Sequence, residues 1–287
     1  MAHWGAGSKN EENMSLLVSW ISVDTHGISS AYIASDSRAS WDKNNVFDSC
    51  RKVFYMKQYP EIIGYCGDVT FPSMLITSII DCINNGMIFS DSDNAIERYK
   101  KFKTVFFNEF HKYPKHFISG MIEILYINKD ITENNYPEYY AHTITWQKNT
   151  QKFASTDIKL NNQKSSIIHI MGSGKTEFET VFQNFKQKKN KGTSRNIFQC
   201  FCMTLLTIKD YHCGGAPQLV GLYRKPKMNA SPFGILYNRK RYYNGIEFKR
   251  IYNNDKLEWR NKFFERCDGQ SKNRLPDAKN QSNDLQI

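Results

Sequence analysis

Five short stretches of this chain hold residue types that could cooperate in chemistry: Ser15 at the head of an apolar run, Asp36-Ser37-Arg38, Lys52, Cys66-Gly67 and Asp210-Tyr211-His212-Cys213-Gly214-Gly215. A serine that begins a chain carries both halves of a nucleophilic device. Its β-hydroxyl attacks, and its own α-amine, with a pKa of about 8, lies within reach to take the proton. A neighbouring ammonium from Lys52 would lower the pKa of both groups, and Asp36 would keep that lysine charged and oriented. Attack on an amide would then give an ester that water hydrolyses. The scheme requires a free amine, because the nitrogen of an internal Ser15 is an amide without basicity. Met14 offers a simple route: if translation starts there, removal of the initiator methionine before a small residue exposes Ser15. The alternative is autocatalytic removal of residues 1–14 as a propeptide.

Other chemistries fit the sequence less well. Gly172-Ser173-Gly174-Lys175-Thr176 imitates the end of a phosphate-binding loop, but that pattern needs a glycine where this chain has His169. The nearest pair of histidines, His111 and His116, has Pro114 between them and lacks the one-face helical spacing of metal ligands. His212 and Cys213 are adjacent and would point in different directions, so they make a poor nucleophile pair. No cofactor or metal is expected.

The elements that must position these residues read as strands in groups separated by pairs of helices. Two β-type segments, Ser15–Ile21 and Ser29–Ser35, flank Asp24-Thr25-His26-Gly27, which has hairpin turn chemistry. Short strands are expected over Lys52–Met56 and Ile62–Cys66. Val69 to Asn84 reads as a buried helix ending at Asn84-Asn85-Gly86. A second helix, capped by Ser92 or Asp93, places Ile96, Tyr99, Phe102, Phe106 and Phe110 on one core-facing stripe and stops at Pro114. Strands are expected over Phe117–Tyr126, Tyr139–Gln147, Gln151–Leu160 and Ser166–Met171. Helices over Thr176–Lys188 and Ser194–Tyr211 follow, with closing strands at Gln218–Tyr223 and Gly234–Tyr237. Helices arriving in pairs between strand groups suggest two sheets packed face to face with helices outside.

The motifs taken together resemble the proteasome β-type subunits, a family of N-terminal nucleophile (Ntn) hydrolases. That family begins its first strand with the nucleophile, closes the second with an Asp-Ser-Arg-like motif, here Asp36-Ser37-Arg38, and has a lysine sixteen residues after the aspartate, here Lys52. A strand ending in a small residue and a glycine, a Gly-Ser-Gly before a helix, and an aspartate followed by a small polar residue and two glycines are matched by Cys66-Gly67, Gly172-Ser173-Gly174 and Asp210 to Gly215. The elements arrive in the family's order over roughly residues 15–237. The resemblance implies an α+β, four-layer αββα sandwich with Ser15, Asp36, Lys52, Gly67, Ser173, Asp210 and Cys213 as site residues. Asp210, Ser173 and Cys213 would hold the amine, and the Gly67 amide would stabilise the oxyanion, a role worth about 3 kcal/mol. The hairpin between Ser15 and Asp36 is about five residues longer than is usual in the family, and three residues depart from its pattern. Serine stands for the usual threonine, Met14 for the glycine before it, and Cys213 for the usual serine, a thiol being a weaker hydrogen-bonding group.

At 287 residues, with 40% hydrophobic and 14% aromatic content, the chain can bury a full core without disulfides or metal. Its seven scattered cysteines form no CxxC block, and with no secretory leader a reducing, cytoplasmic compartment is expected. The longest apolar stretch, Phe198–Ile208, is too short to span a bilayer. Residues 1–14 read as a leader or mis-called start, 15–245 as the Ntn-like domain, and 246–287 as a basic extension with an amphipathic helix over 255–267 and a polar tail. Between Tyr223 and Leu275 fourteen Lys or Arg face five Asp or Glu, a local +9 within a formal net charge of +11. The expected activity is that of a peptidase on peptides or unfolded protein. Family members stack into rings, so a homo-oligomer is expected, with an ATP-dependent unfoldase as a further partner. A catalytically silent scaffold subunit is the first alternative. A binding module, using the basic region to hold nucleic acid or an acidic partner, is the second.

Overall fold

The strands over residues 17–24 and 27–35 carry consecutive buried residues, because both of their faces are covered. The computed structural model describes residues 14–118, 120–131, 136–185, 192–225, 230–252 and 256–280. The leader up to residue 13, the end of the expected 176–188 helix, Asp255 and the last seven residues of the polar tail lie outside the described residues.

In chain order the elements are β1 (Leu17–Asp24), β2 (Gly27–Ser35), β3 (Ala39–Ser40), β4 (Val46–Phe47), β5 (Val53–Tyr55), β6 (Glu61–Gly67), α1 (Thr70–Asn84) and α2 (Ala95–Lys112). Then come β7 (Met121–Ile131), β8 (Pro137–Gln147), β9 (Lys152–Ile158), β10 (Ser166–Met171), α3 (Lys175–Phe185), α4 (Ser194–Thr207), β11 (Gln218–Tyr223) and β12 (Ser231–Tyr237). β13 (Lys240–Tyr243), β14 (Ile246–Phe248), β15 (Glu258–Asn261) and β16 (Arg266–Cys267) complete the described set.

Two large sheets result. One runs β10-β1-β2-β11-β12-β13-β14, with β15 parallel to β12 and β16 on β15; the other is the antiparallel meander β5-β6-β7-β8-β9. The β1–β2 hairpin pairs Leu17 with Ser35 and closes at Asp24 and Gly27, where the Asp24 carboxylate accepts the His26 amide at 2.8 Å. Three apolar clusters fill the spaces between elements. Tyr99, Phe102, Phe106 and Phe110 of α2 join Ile76 and Ile79 of α1 against the five-stranded sheet. Phe178 of α3 and Phe198 and Phe201 of α4 pack with Val18, Trp20 and Tyr32 of the larger sheet. The third cluster takes Leu17, Ile21 and Ile33 from one sheet and Ile62, Leu125 and Ile127 from the other, so it lies between the sheets.

A charged junction also ties α2 to the five-stranded sheet. Glu61 is fully buried and accepts from Arg98 Nε at 2.5 Å, while the same guanidinium reaches Asp130 at 3.1 Å and the Lys129 carbonyl at 2.9 Å. Burial raises the Glu61 carboxyl to about 7, against the opposing pull of Arg98.

The structure corrects several local expectations. The cap of α2 is Asn94, which forms a reciprocal capping box with Glu97, rather than Ser92 or Asp93. Asp93 is used instead to accept the Ser90 amide and to pair with Lys101. Ile96 is 42% exposed and lies off the core stripe. Phe117 ends a 3-10 turn, and its strand starts only at Met121. The helix expected over 255–267 is not formed: its described residues make β15 and β16, separated by a turn in which Phe264 has a φ of 63°. Past residue 245 the chain therefore continues the larger sheet through β14, β15 and β16, with Trp259 and Cys267 buried. Among the described residues no helix is long and apolar enough to cross a membrane.

Candidate active site

Ser15 stands just ahead of β1, outside the strand in which the sequence pattern placed it, with a φ of 114° and 1% exposure. That φ lies where side chains are sterically disfavoured, a strain of roughly 1–3 kcal/mol that the surroundings must hold. The hold is visible on both sides of the residue. Gly174 donates its amide to the Ser15 carbonyl at 3.2 Å, and the Gly67 amide donates to the Met14 carbonyl at 3.3 Å. A side chain at Gly172, where φ is 92°, would collide with the Ser15 carbonyl, and one at Gly67, where φ is 96°, with the Met121 carbonyl. Both glycines are thus required by close backbone approach.

The nucleophile candidate is contacted by one cation. Lys52, immediately before β5, donates from Nζ to Ser15 Oγ at 2.6 Å and to Asp36 Oδ1 at 2.9 Å. Lys52 and Asp36 are each fully buried. Asp36, at the end of β2, accepts on Oδ1 from the Leu16 amide as well, and on Oδ2 from the amides of Arg38 and Gly214, all at 3.1 Å. Four donors fill its lone-pair positions, so the carboxylate is fixed in orientation and passes that order to the lysine. Because the ammonium donates to Oγ, the hydroxyl proton of Ser15 must point elsewhere.

Ser173, Asp210 and Cys213 form a second group. Ser173 Oγ donates to Asp210 Oδ2 and lies 3.6 Å from Cys213 Sγ, while the thiol donates to Asp210 Oδ2 at 3.4 Å. Burial pushes the Cys213 thiol far above its ordinary range, with Asp36 adding to the effect, so the group acts as a neutral donor. Cys66, beside Gly67, is likewise held well above the usual range by burial. All seven candidate residues converge on one end of the β1–β2 hairpin. Ser15 is joined to the Lys52–Asp36 pair through its hydroxyl and to the Ser173 segment through its carbonyl.

Three residues in this network were given no role in the site by the sequence reading. Gln218, 1% exposed at the start of β11, donates to the carbonyls of Asp36 and Cys50 at 3.0 and 2.8 Å and accepts the Lys52 amide at 3.1 Å. A polar residue heading an apolar strand was the available signal. Arg38, although part of the recognised motif, acts outside the nucleophile's contacts. Its guanidinium makes two bonds to Asp48, at 2.7 and 2.9 Å, and reaches the Tyr211 carbonyl at 3.3 Å, tying the two loops together. His212 Nδ1 meets Ser40 Oγ at 2.9 Å, and that hydroxyl lies 3.8 Å from Met14 Sδ.

The basic region is largely occupied in holding its own backbone. Arg241 donates to the carbonyls of Gly269, Gln270 and Lys249, Lys272 to that of Arg239, and Arg274 to that of Ala278, while Arg266 pairs with Asp277. Among the described residues no group of three or more His, Cys, Asp or Glu is arranged to hold a metal ion.

No protein-family model matches the chain, and no curated protein sequence does. Solved structures similar to it include the Anbu (ancestral beta-subunit) of Yersinia bercovieri, 8% identical over 76% of this chain and 86% of that one, with a TM-score of 0.45. The HslV of Trypanosoma brucei is 8% identical over 72% of this chain and 99% of its own, with a TM-score of 0.44. The Anbu complex of Pseudomonas aeruginosa, solved as a helical assembly, is 9% identical over 79% of this chain and 86% of its own, at 0.49. Likeness of this degree bears on neither residue roles nor activity.

Proposed function

We propose that the protein is an N-terminal nucleophile amidohydrolase, a peptidase acting through Ser15 on a four-layer αββα frame of the proteasome β-subunit kind. The observation that carries this reading is the 2.6 Å contact from the Lys52 ammonium to Ser15 Oγ, with Asp36 buried behind it. Once the Met14–Ser15 bond is opened, the freed α-amine takes the hydroxyl proton as Oγ bonds to the substrate's carbonyl carbon. The Gly67 amide receives the resulting oxyanion. Collapse breaks the carbon–nitrogen bond, and the amine leaves with the proton from the Ser15 ammonium. Water, deprotonated by the same amine, hydrolyses the ester and restores the hydroxyl.

The position of the Met14 carbonyl supports this assignment of Gly67, since the carbonyl immediately before Ser15 already lies on that amide at 3.3 Å. The same contact favours self-cleavage at Met14–Ser15, with the strained φ of Ser15 as a contributor. Assembly into a homo-oligomer belongs to this reading, as does delivery of unfolded chains by an ATP-dependent partner.

The test is the intact mass of protein expressed from Met1 and from Met14, before and after a peptide epoxyketone, which closes a ring through an α-amine and its β-hydroxyl. A chain beginning at Ser15 that gains the adduct, with Lys52→Ala abolishing it, is the expected result. A chain that keeps Met14 under both expressions and takes no adduct would identify a silent scaffold subunit instead.

A further inference from the structure

Met14 stands where the acyl residue of a substrate would stand. On the proposed mechanism the carbonyl that Ser15 attacks rests on the Gly67 amide, and the Met14 carbonyl lies there at 3.3 Å. The contacts of the Met14 side chain therefore point to the groups that face the side chain of that residue in a substrate. Its Sδ lies 3.8 Å from Ser40 Oγ, and that hydroxyl lies 2.9 Å from His212 Nδ1.

Both residues are buried and held in place. Ser40 ends β3 and pairs with Val46 of β4. The turn between them is closed by the Trp41 amide, which donates to the Asn45 carbonyl at 3.0 Å, and by the Asp42 carboxylate, which accepts the amides of Asn44 and Asn45. His212 gives its own amide to Asp210 Oδ1 at 2.9 Å, and its ring lies 3.8 Å from that of Tyr211. The other oxygen of Asp210 takes Ser173 and Cys213, so the aspartate that orders the second group of the site also anchors the residue carrying the imidazole.

The protons of this chain of contacts can be assigned. A hydroxyl has one proton, and a thioether sulfur only accepts. The Ser40 proton therefore points at Met14 Sδ, and Ser40 Oγ accepts from His212 Nδ1–H. Ser40 thus presents a donor to the side chain before the scissile bond. A side chain of equal length without an acceptor leaves that buried donor unpaired, which costs more than the bond itself is worth.

We propose that Ser40 is a specificity-determining residue of the Ser15 site, donating to an acceptor near the end of the unbranched side chain that precedes the scissile carbonyl, with His212 as its positioning residue. Methionine and glutamine carry such an acceptor; norleucine and leucine do not. The assignment rests on the reading of Ser15 as the nucleophile.

The test is kcat/KM of the full chain, after loss of residues 1–14, on tripeptidyl coumarin amides that differ only in the residue bonded to the coumarin: methionine, norleucine, glutamine or leucine. Norleucine replaces the sulfur with a methylene at equal length, so that pair isolates the acceptor. Methionine is expected to exceed norleucine by at least about fivefold, and glutamine to exceed leucine. Ser40→Ala should bring the methionine-to-norleucine ratio to about one, whereas Ser40→Thr, which keeps the hydroxyl, should retain it. His212→Leu should lower the ratio, and His212→Asn, whose amide can donate in place of Nδ1, should restore part of it. The comparison on the parent needs no variant, so it decides the matter even if the variants fail to fold. Equal rates for methionine and norleucine overturn the assignment and leave the Ser15 reading standing, and so does a ratio that Ser40→Ala leaves unchanged. Absence of both turnover and the epoxyketone adduct removes the Ser15 reading and this assignment with it.

Discussion

A lysine and an aspartate with no solvent exposure are costly to bury, and on the proposed mechanism their place beside Ser15 serves to activate its hydroxyl. Removing one partner leaves the other charge stranded. Lys52→Met is therefore expected to destabilise the fold by about 3–5 kcal/mol. Combining it with Asp36→Asn should recover part of that loss, while hydrolysis of peptides stays absent in both; urea denaturation and a fluorogenic peptide assay read the two effects separately. Gln218→Leu tests a quieter residue. It leaves one amide and two carbonyls without partners and should cost about 1–3 kcal/mol, with a fall in turnover larger than Leu219→Val produces. The charged members of the site were readable because they sit in short motifs at fixed separations. Gln218 was not, because its partners are main-chain atoms of residues 36, 50 and 52, and a polar residue heading an apolar strand was its one trace in residue type.

Among elements, α2 shows how local chemistry can be read one residue wrong. Ser92, Asp93 and Asn94 are all good caps, and the choice falls to Asn94 because Glu97 stands three residues on and Asp93 is engaged with Ser90 and Lys101. Asn94→Ala should cost about 1 kcal/mol, measurable as a fall in melting temperature, whereas Ser92→Ala should have no comparable effect. The aromatic stripe of this helix was legible from its spacing, apart from exposed Ile96. The 255–267 segment was not, since its apolar spacing fits a helix while its hydrogen bonds go to β12 in parallel and to β16. A partner strand more than twenty residues away decides the matter, and no local propensity reports it.

For the whole molecule, the alternation of strand groups and helix pairs gave the two sheets and the helices that cover them, because apolar residues on both faces of a strand require cover on both. The buried charged junction that ties α2 to the five-stranded sheet was invisible. Glu61 carries a consequence that affects global stability. Its folded pKa of about 7 lies above the ordinary 4.5, so its contribution is fully present below pH 4.5 and is lost as pH rises through 7. The loss amounts to about 3 kcal/mol. Glu61→Gln should flatten the stability profile across that window in urea titrations from pH 4 to 8, and an unchanged slope would assign the pH dependence to other groups.

The amide of Gly67 is occupied by the chain's own Met14 carbonyl. On the proposed mechanism this single backbone bond works as a safety catch. A newly made chain blocks its own reactive centre until the link to Ser15 is cut, so its synthesis endangers no neighbouring protein and calls for no separate inhibitor. Arming is then a one-way event, set by covalent chemistry rather than by concentration.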